Sequence, residues 1–394
     1  MKPANSLDGE LSRRLAALRE QGLYRELRRV DSPQSARIQI GGRTLLNFGS
    51  NDYLGLANEP ALKEAAVKAI ERFGTGAGAS RLVCGSMAPH HELDEALAAF
   101  KCSEAALSFS TGYATALGTI CALLEKNDVI LIDKRVHASI VDAARLSGAK
   151  LRVFAHNDPN DLEDILKWAG ARTPKSQVLI VTESVFSMDG DQAPMRALVD
   201  LKDKYGAWLM VDEAHAAGLF GKNRRGLAEE AGVSDRIEIQ MGTLGKAVGS
   251  AGGYICGSRV LIDFLVNRAR SFIFSTAPPP AAAAAAVAGL RFIESKAGAD
   301  RCRSMWRLVS ECTSGLGLQT TNSPSAILPI LIGDESRAVN TSALLRAQGL
   351  FVPAIRYPAV ARGRARLRLT VTAGHSPADI STLTGALHDL GIGF

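Results

Sequence analysis

The chain has 394 residues, 46% of them apolar, and a formal net charge of +6 from 46 basic and 40 acidic side chains. That length and apolar content suit an enzyme-sized core spread over two or three lobes, with no internal repeat or low-complexity linker. The basic residues are dispersed among acidic ones along the chain, which argues against a nucleic-acid-binding protein and fits, at most, the attraction of a phosphate-bearing substrate.

Met1-Lys2-Pro3-Ala4-Asn5-Ser6 is polar and lacks the apolar segment of a signal peptide, so a cytoplasmic location is expected. Residues 1–46 read as an N-terminal arm. Leucines at 11, 15, 18, 23 and 27 predict a helix over Leu11 to Arg29, and Gly41-Gly42 predicts a hairpin turn in a ribbon around Arg37 to Arg43. An arm of this kind is expected to pack on a neighbouring subunit. From 47 to 277, helical patterns alternate with short apolar runs: Ala105 to Phe109, Val129 to Ile132, Leu151 to Phe154, Val178 to Thr182, Trp208 to Val211, Ile237 to Met241 and Gly253 to Cys256. This alternation predicts an α/β domain with a mostly parallel central sheet flanked by helices, which binds ligands beyond the carboxyl ends of its strands. Three prolines precede the apolar run Ala281 to Leu290, which is too short for the roughly 20 residues of a membrane span and reads as a buried helix. Residues 278–394 read as a smaller C-terminal α+β domain with a strand over Ser325 to Ile332. The six cysteines stand far apart without a C-x-x-C pair, so reduced, mostly buried thiols are expected rather than a metal cage or disulfide framework.

Several motifs fail on context. Gly74-Thr75-Gly76-Ala77-Gly78 follows a helical pattern instead of a strand, Gly245-Lys246 lacks the spacing of a P-loop, and His90-His91-Glu92 lacks the second histidine of a zinc-protease helix. A stronger set lies at strand ends. Trp208-Leu209-Met210-Val211 ends in Asp212, a carboxylate that needs a cationic partner there; capping of the next helix is the bland alternative. Lys246 sits in the uncharged, glycine-rich segment Gly242 to Gly253, where burial would lower the pKa of its amine and make it a nucleophile. Phe109-Ser110-Thr111-Gly112-Tyr113-Ala114 joins a strand to a small-residue helix, offering free N–H groups to a phosphate. A carboxylate, a lysine and a phosphate cradle are the parts needed to hold and use pyridoxal phosphate.

Asp212-Glu213-Ala214-His215, Gly242-Thr243-Leu244-Gly245-Lys246, Ser50-Asn51-Asp52-Tyr53-Leu54-Gly55-Leu56 and Glu183-Ser184-Val185-Phe186-Ser187-Met188-Asp189-Gly190-Asp191 resemble, in order, motifs of the α-oxoamine synthases, pyridoxal 5′-phosphate enzymes of fold type I. The resemblance runs from the arm to Arg366-Leu367-Arg368-Leu369-Thr370 and Ala373-Gly374-His375. It implies a decarboxylative condensation of an amino acid with an acyl-CoA; transamination and aldol cleavage are the other chemistries open to this fold. By the same resemblance, Lys246 would carry the cofactor and move protons at the substrate Cα, and Asp212 would pair with the pyridine nitrogen. His215 and Ser187 would bond the ring hydroxyl, with Glu183 among the cofactor contacts, and His137 would stack on the ring. Gly112, Tyr113 and Thr243 would hold the phosphate, and Ser275 and Thr276 would reach that of a neighbouring subunit in a homodimer with active sites at the interface.

Arg368 would bind the substrate carboxylate with Thr370 beside it, Asn51 would lie near the reacting centre, and Arg25 would meet the acyl substrate. Spacing alone does not choose among Arg364, Arg366 and Arg368, which share one strand face. His156-Asn157-Asp158, Gly249-Ser250 and Ile355-Arg356 are most similar to the branch that condenses L-alanine with pimeloyl-CoA, as against glycine-using branches. The sequence departs from that branch at Tyr357-Pro358-Ala359, where a proline and a threonine are usual, which leaves the acyl chain open.

Overall fold

The computed structural model describes residues 6–173, 175–318 and 325–392. Thirteen strands form three sheets among these residues. The central sheet holds β3 (Ala105–Phe109), β4 (Val129–Asp133), β5 (Lys150–Phe154), β6 (Val178–Glu183), β7 (Trp208–Asp212), β8 (Ile239–Thr243) and β9 (Gly253–Gly257) in the order β3-β9-β8-β7-β6-β4-β5. β4 through β8 pair in parallel, and β9 runs antiparallel to both β8 and β3. The interior strands read as unbroken apolar runs because helices cover both faces, and all five residues of β4 are buried. The edge strand β5 instead exposes Lys150, Arg152 and Val153 and places Arg152 over the Trp168 ring at 4.4 Å.

The strands continue past the predicted apolar runs at their functional ends: β4 reaches Asp133, β6 reaches Glu183, β7 reaches Asp212 and β8 reaches Thr243. Polar terminal residues conceal a strand end from hydropathy, although the backbone ladder continues through them. β3 delivers the chain into helix Gly112–Leu123 on this same side of the sheet. Helix Pro280–Glu294 is buried along one face as its composition suggests, and no described helix is long and apolar enough to cross a membrane.

The arm differs from expectation in the extent of its helix. Its helix spans Leu7–Glu20 instead of running to Arg29, ending where Gly22 adopts a left-handed φ of +66°. Its hairpin, β1 (Arg37–Ile40) and β2 (Arg43–Asn47), turns on Gly41 and Gly42 with φ of +57° and +74°, as a two-residue I′ turn requires. That hairpin packs on its own chain: β2 pairs in parallel with β11 (Leu350–Phe351). The remaining sheet, β10 (Ile327–Gly333), β13 (Ala365–Thr370) and β12 (Ala354–Ile355), carries the C-terminal arginines. The N–H of Thr370 bonds Phe48 O at 2.8 Å and that of Ala373 bonds Tyr53 O at 2.7 Å, which draws the Asn51 segment to the end of β13.

All six cysteines are free; Cys256, Cys302 and Cys312 are buried, Cys121 is half-buried, and Cys84 and Cys102 are exposed.

Candidate active site

Glu183 and Asp212 end adjacent parallel strands in register with each other, both buried. Burial first, and the neighbouring Asp212 second, push the Glu183 carboxyl up to about 8. Burial likewise raises Asp212, and the charge of Lys246 only partly offsets it. Asp212 accepts from the N–H of Ala214 at 2.9 Å, while Glu183 accepts from that of Ser187 at 3.1 Å and keeps its other oxygen buried without a partner.

Lys246 follows β8. Burial lowers its amine to about 8 against the opposing pull of Asp212 and Glu183. Its Nζ lies 2.8 Å from Nε2 of the buried His215, whose Nδ1 is 2.5 Å from the phenol oxygen of Tyr53. Tyr53 is fully buried and its hydroxyl is raised to about 12, so it stays protonated. Burial, then the charges of Lys246 and Arg368, hold His215 well below the usual range and therefore neutral. A neutral imidazole has one N–H, so a phenol donating to Nδ1 leaves the ring proton on Nε2, facing the lysine amine. A protonated lysine reverses the chain: it donates to Nε2, Nδ1 donates to the phenol oxygen, and the phenol proton turns toward Asn51 Oδ1 at 3.5 Å.

Asn51 also accepts from Arg368 Nη1 at 3.1 Å, and the same nitrogen bonds Thr370 Oγ1 at 3.0 Å. Arg368 Nε donates to Ser187 O at 2.6 Å, whereas its Nη2 is buried without a partner. Arg366 is already engaged, donating to Asp189 Oδ1 at 2.7 Å and to Met188 O at 3.1 Å, and Arg364 is exposed. Of the three candidates, Arg368 is the one with a spare buried donor.

His137 caps helix Ala138–Leu146, accepting from the N–H of Ser139 at 3.3 Å; desolvation of its imidazole lowers its pKa while Asp212 raises it. Of the phosphate candidates, Gly112 and Thr243 adjoin. Thr111 caps helix Gly112–Leu123 by accepting from the N–H of Ala114 at 3.0 Å, and a Cβ on Gly112 would stand 3.9 Å from Thr243 Oγ1. Tyr113 is exposed and donates to Asp142 at 2.5 Å. Ser275 and Thr276 border a small cavity with Arg81, Ser108 and Ser110, and Thr276 bridges to Ser80. Arg25 is exposed on the arm, its Nη2 donating to Tyr357 O at 2.9 Å.

Three features lie outside the residues singled out from sequence. Tyr53 is one, although it stands inside a motif already quoted. A second is the clamp made by His156, a residue quoted above as a branch marker without a role: Nδ1 bonds Asp133 at 2.9 Å and Nε2 bonds Asp191 at 2.6 Å, pinning the Ser187–Asp191 turn to the end of β4. Burial opposes charge on this ring, yet the two aspartates outweigh it and raise His156 to about 9. The third is the fully buried pair of Lys101 and Glu213, which also accepts the N–H of Ala228 at 2.9 Å and anchors the segment after Asp212.

These groups fit pyridoxal phosphate. A buried carboxylate beside a second buried carboxylate suits a cationic ring nitrogen, the lysine has a lowered pKa, and Gly112 leaves room for an anion at a helix N-terminus next to Thr243.

The comparisons agree with that chemistry. The family model "Aminotransferase class I and II" matches residues 43–387, so the chain belongs to that family. Within it the chain belongs with the 8-amino-7-oxononanoate synthases. It is 47% identical over 380 residues to the 8-amino-7-oxononanoate synthase of Geotalea daltonii, covering 96% of each chain, and 47% identical over 390 residues to that of Geobacter sulfurreducens, covering 98% of each. Among solved structures, a serine palmitoyltransferase from S. paucimobilis holding PLP and myriocin superposes with a TM-score of 0.91 at 30% identity, covering 100% of both chains. An 8-amino-7-oxononanoate synthase from Francisella tularensis does so at 0.73 and 28%, covering 88% of this chain and 98% of the other.

Proposed function

We propose that the chain catalyses the decarboxylative condensation of L-alanine with pimeloyl-CoA, giving 8-amino-7-oxononanoate, CoA and CO2 in biotin biosynthesis, as a homodimer. The carbon–carbon bond forms between alanine Cα and the thioester carbonyl, the thiol leaves as CoA, and the alanine carboxylate leaves as CO2. Pyridoxal phosphate, held at Lys246, Asp212 and the Gly112–Tyr113–Thr243 cradle, supplies an electron sink at the amino-acid Cα.

The chain's own residues do the rest. Arg368 takes the alanine carboxylate on its spare Nη2, while Ser187 O, Asn51 and Thr370 hold the rest of the guanidinium still, so the Cα–H bond is fixed relative to Lys246. Lys246, lowered to about 8, moves the Cα proton near neutral pH, with His215 and Tyr53 steering its lone pair. Glu183 and Ser187 hold the turn beneath, and His137 covers the ring side. Arg25 stands toward the acyl chain, and Ser275 and Thr276 serve the neighbouring subunit's phosphate.

The observation that carries this reading is the pairing of a low-pKa lysine with an arginine whose buried Nη2 lacks an acceptor, in one hydrogen-bonded network. Lys246→Ala is expected to lower alanine-dependent release of CoA thiol by about 10³-fold or more while preserving the far-ultraviolet circular dichroism. Thiol release retained within tenfold of the parent would remove the lysine from the chemistry.

A further inference from the structure

The small lobe gathers guanidinium groups that the chemistry above does not use. Arg28 from the arm, Arg346 near the end of helix Glu335–Ala347, and Arg356 just past β12 line one cavity of about 120 Å3, with Ser342, Phe351 and Pro353 among its other walls and no aspartate or glutamate. Arg356 is depressed by burial first and then by the like charges of Arg25 and Arg28. Its Nε is buried without a partner. The arm and this segment are laced through neutral carbonyls: Arg356 Nη2 donates to Tyr24 O at 2.5 Å and Arg25 Nη2 donates to Tyr357 O at 2.9 Å. These bonds position Arg356 and Arg25 without neutralising them, and with Arg28 and Arg346 on the same cavity the fold concentrates positive charge around a concave space and leaves the Arg356 Nε donor unmet.

The cavity adjoins the reaction centre through one strand. Pro353 O accepts the N–H of Arg368 at 3.0 Å, and Ile355 pairs with Arg366 across β12 and β13. A ligand whose reacting end lies by Arg368 can therefore extend an anionic end over the small lobe. Guanidinium groups match phosphate oxygens in fork geometry, and three of them around one cavity suit a phosphate better than a single carboxylate.

We propose that Arg28, Arg346 and Arg356 form an anion subsite that takes a phosphate of the nucleotide end of the acyl-CoA. This rests on the reading of the chain as an acyl-CoA-using enzyme. The subsite recognises the carrier of the thioester by charge, apart from the acyl chain and the amino acid.

The test uses the pyridoxal-phosphate-loaded enzyme and the variant Arg28→Gln/Arg346→Gln, with thermal melting as a control for folding. Pimeloyl-CoA is compared with pimeloyl-pantetheine, which lacks the nucleotide phosphates, and binding of adenosine 3′,5′-bisphosphate is measured by calorimetry. The expected result is a KM for pimeloyl-CoA raised about tenfold, bisphosphate binding weakened by a similar factor, and pimeloyl-pantetheine turnover at the parent level. An unchanged KM for pimeloyl-CoA, or equal losses with both thioesters, overturns the subsite. A loss confined to pimeloyl-carrier protein also overturns it, assigning the arginines to a protein-docking face. Absence of thiol release by the parent enzyme strikes the functional reading instead, and the calorimetric comparison then still decides whether these arginines hold a phosphate.

Discussion

Tyr53 and His215 stand 162 residues apart in the chain and meet with an O···N distance of 2.5 Å, which couples the phenol to the imidazole that touches Lys246. The Ser50–Leu56 motif thereby ties the proton on His215 to the protonation state of the lysine amine, the phenol donating to Nδ1 when the amine is neutral and accepting from it when the amine is charged.

Tyr53→Phe removes this control without opening a cavity. The expected outcome is a kcat lowered about tenfold with little change in the KM for alanine, because the loss of a buried hydrogen bond is of order 1–3 kcal/mol and falls on proton movement at Lys246. The kcat pH profile should shift with it, and a profile superimposable on the parent's would show that Tyr53 only packs.

The two arginines of β13 should separate kinetically. Arg368→Lys loses the spare donor, and the KM for alanine is expected to rise by roughly one to two orders of magnitude. Arg366→Lys weakens the contact with Asp189 and should cost stability more than amino-acid binding. Steady-state kinetics on both variants checks this; a larger KM effect at Arg366 would reverse the assignment.

Much of the site was legible because its residues interrupt strong local patterns. Asp212 breaks an apolar run, Lys246 interrupts an uncharged glycine-rich stretch, and Gly112 follows a strand. The arm helix was overestimated because Leu23 and Leu27 continue a helical spacing that Gly22 ends, and spacing carries no information about a left-handed residue. The choice of Arg368 over Arg366 depends on Asp189 engaging the latter, and the His156 clamp draws on Asp133 and Asp191 from separate segments. Such relationships are tertiary and leave no mark on periodicity.

The clamp gives a pH dependence with a defined sign. His156 is raised to about 9 in the folded chain, above the ordinary histidine value near 6.5, so its charge stabilises the fold fully below about pH 6.5 and that contribution fades as pH climbs through about 9. His156→Gln should lose this component. Melting temperatures from pH 6 to 10 are expected to fall more steeply for the parent than for the variant; parallel curves would mean the imidazolium contributes nothing.

The most direct measurement supplies the pyridoxal-phosphate-loaded protein with L-alanine, glycine or L-serine in turn, together with pimeloyl-CoA or acetyl-CoA, and scores free thiol and product mass. The account predicts thiol release matched by 8-amino-7-oxononanoate only with alanine and pimeloyl-CoA. Preferential turnover of glycine with acetyl-CoA, or conversion of an amino acid with no thioester present, would contradict it.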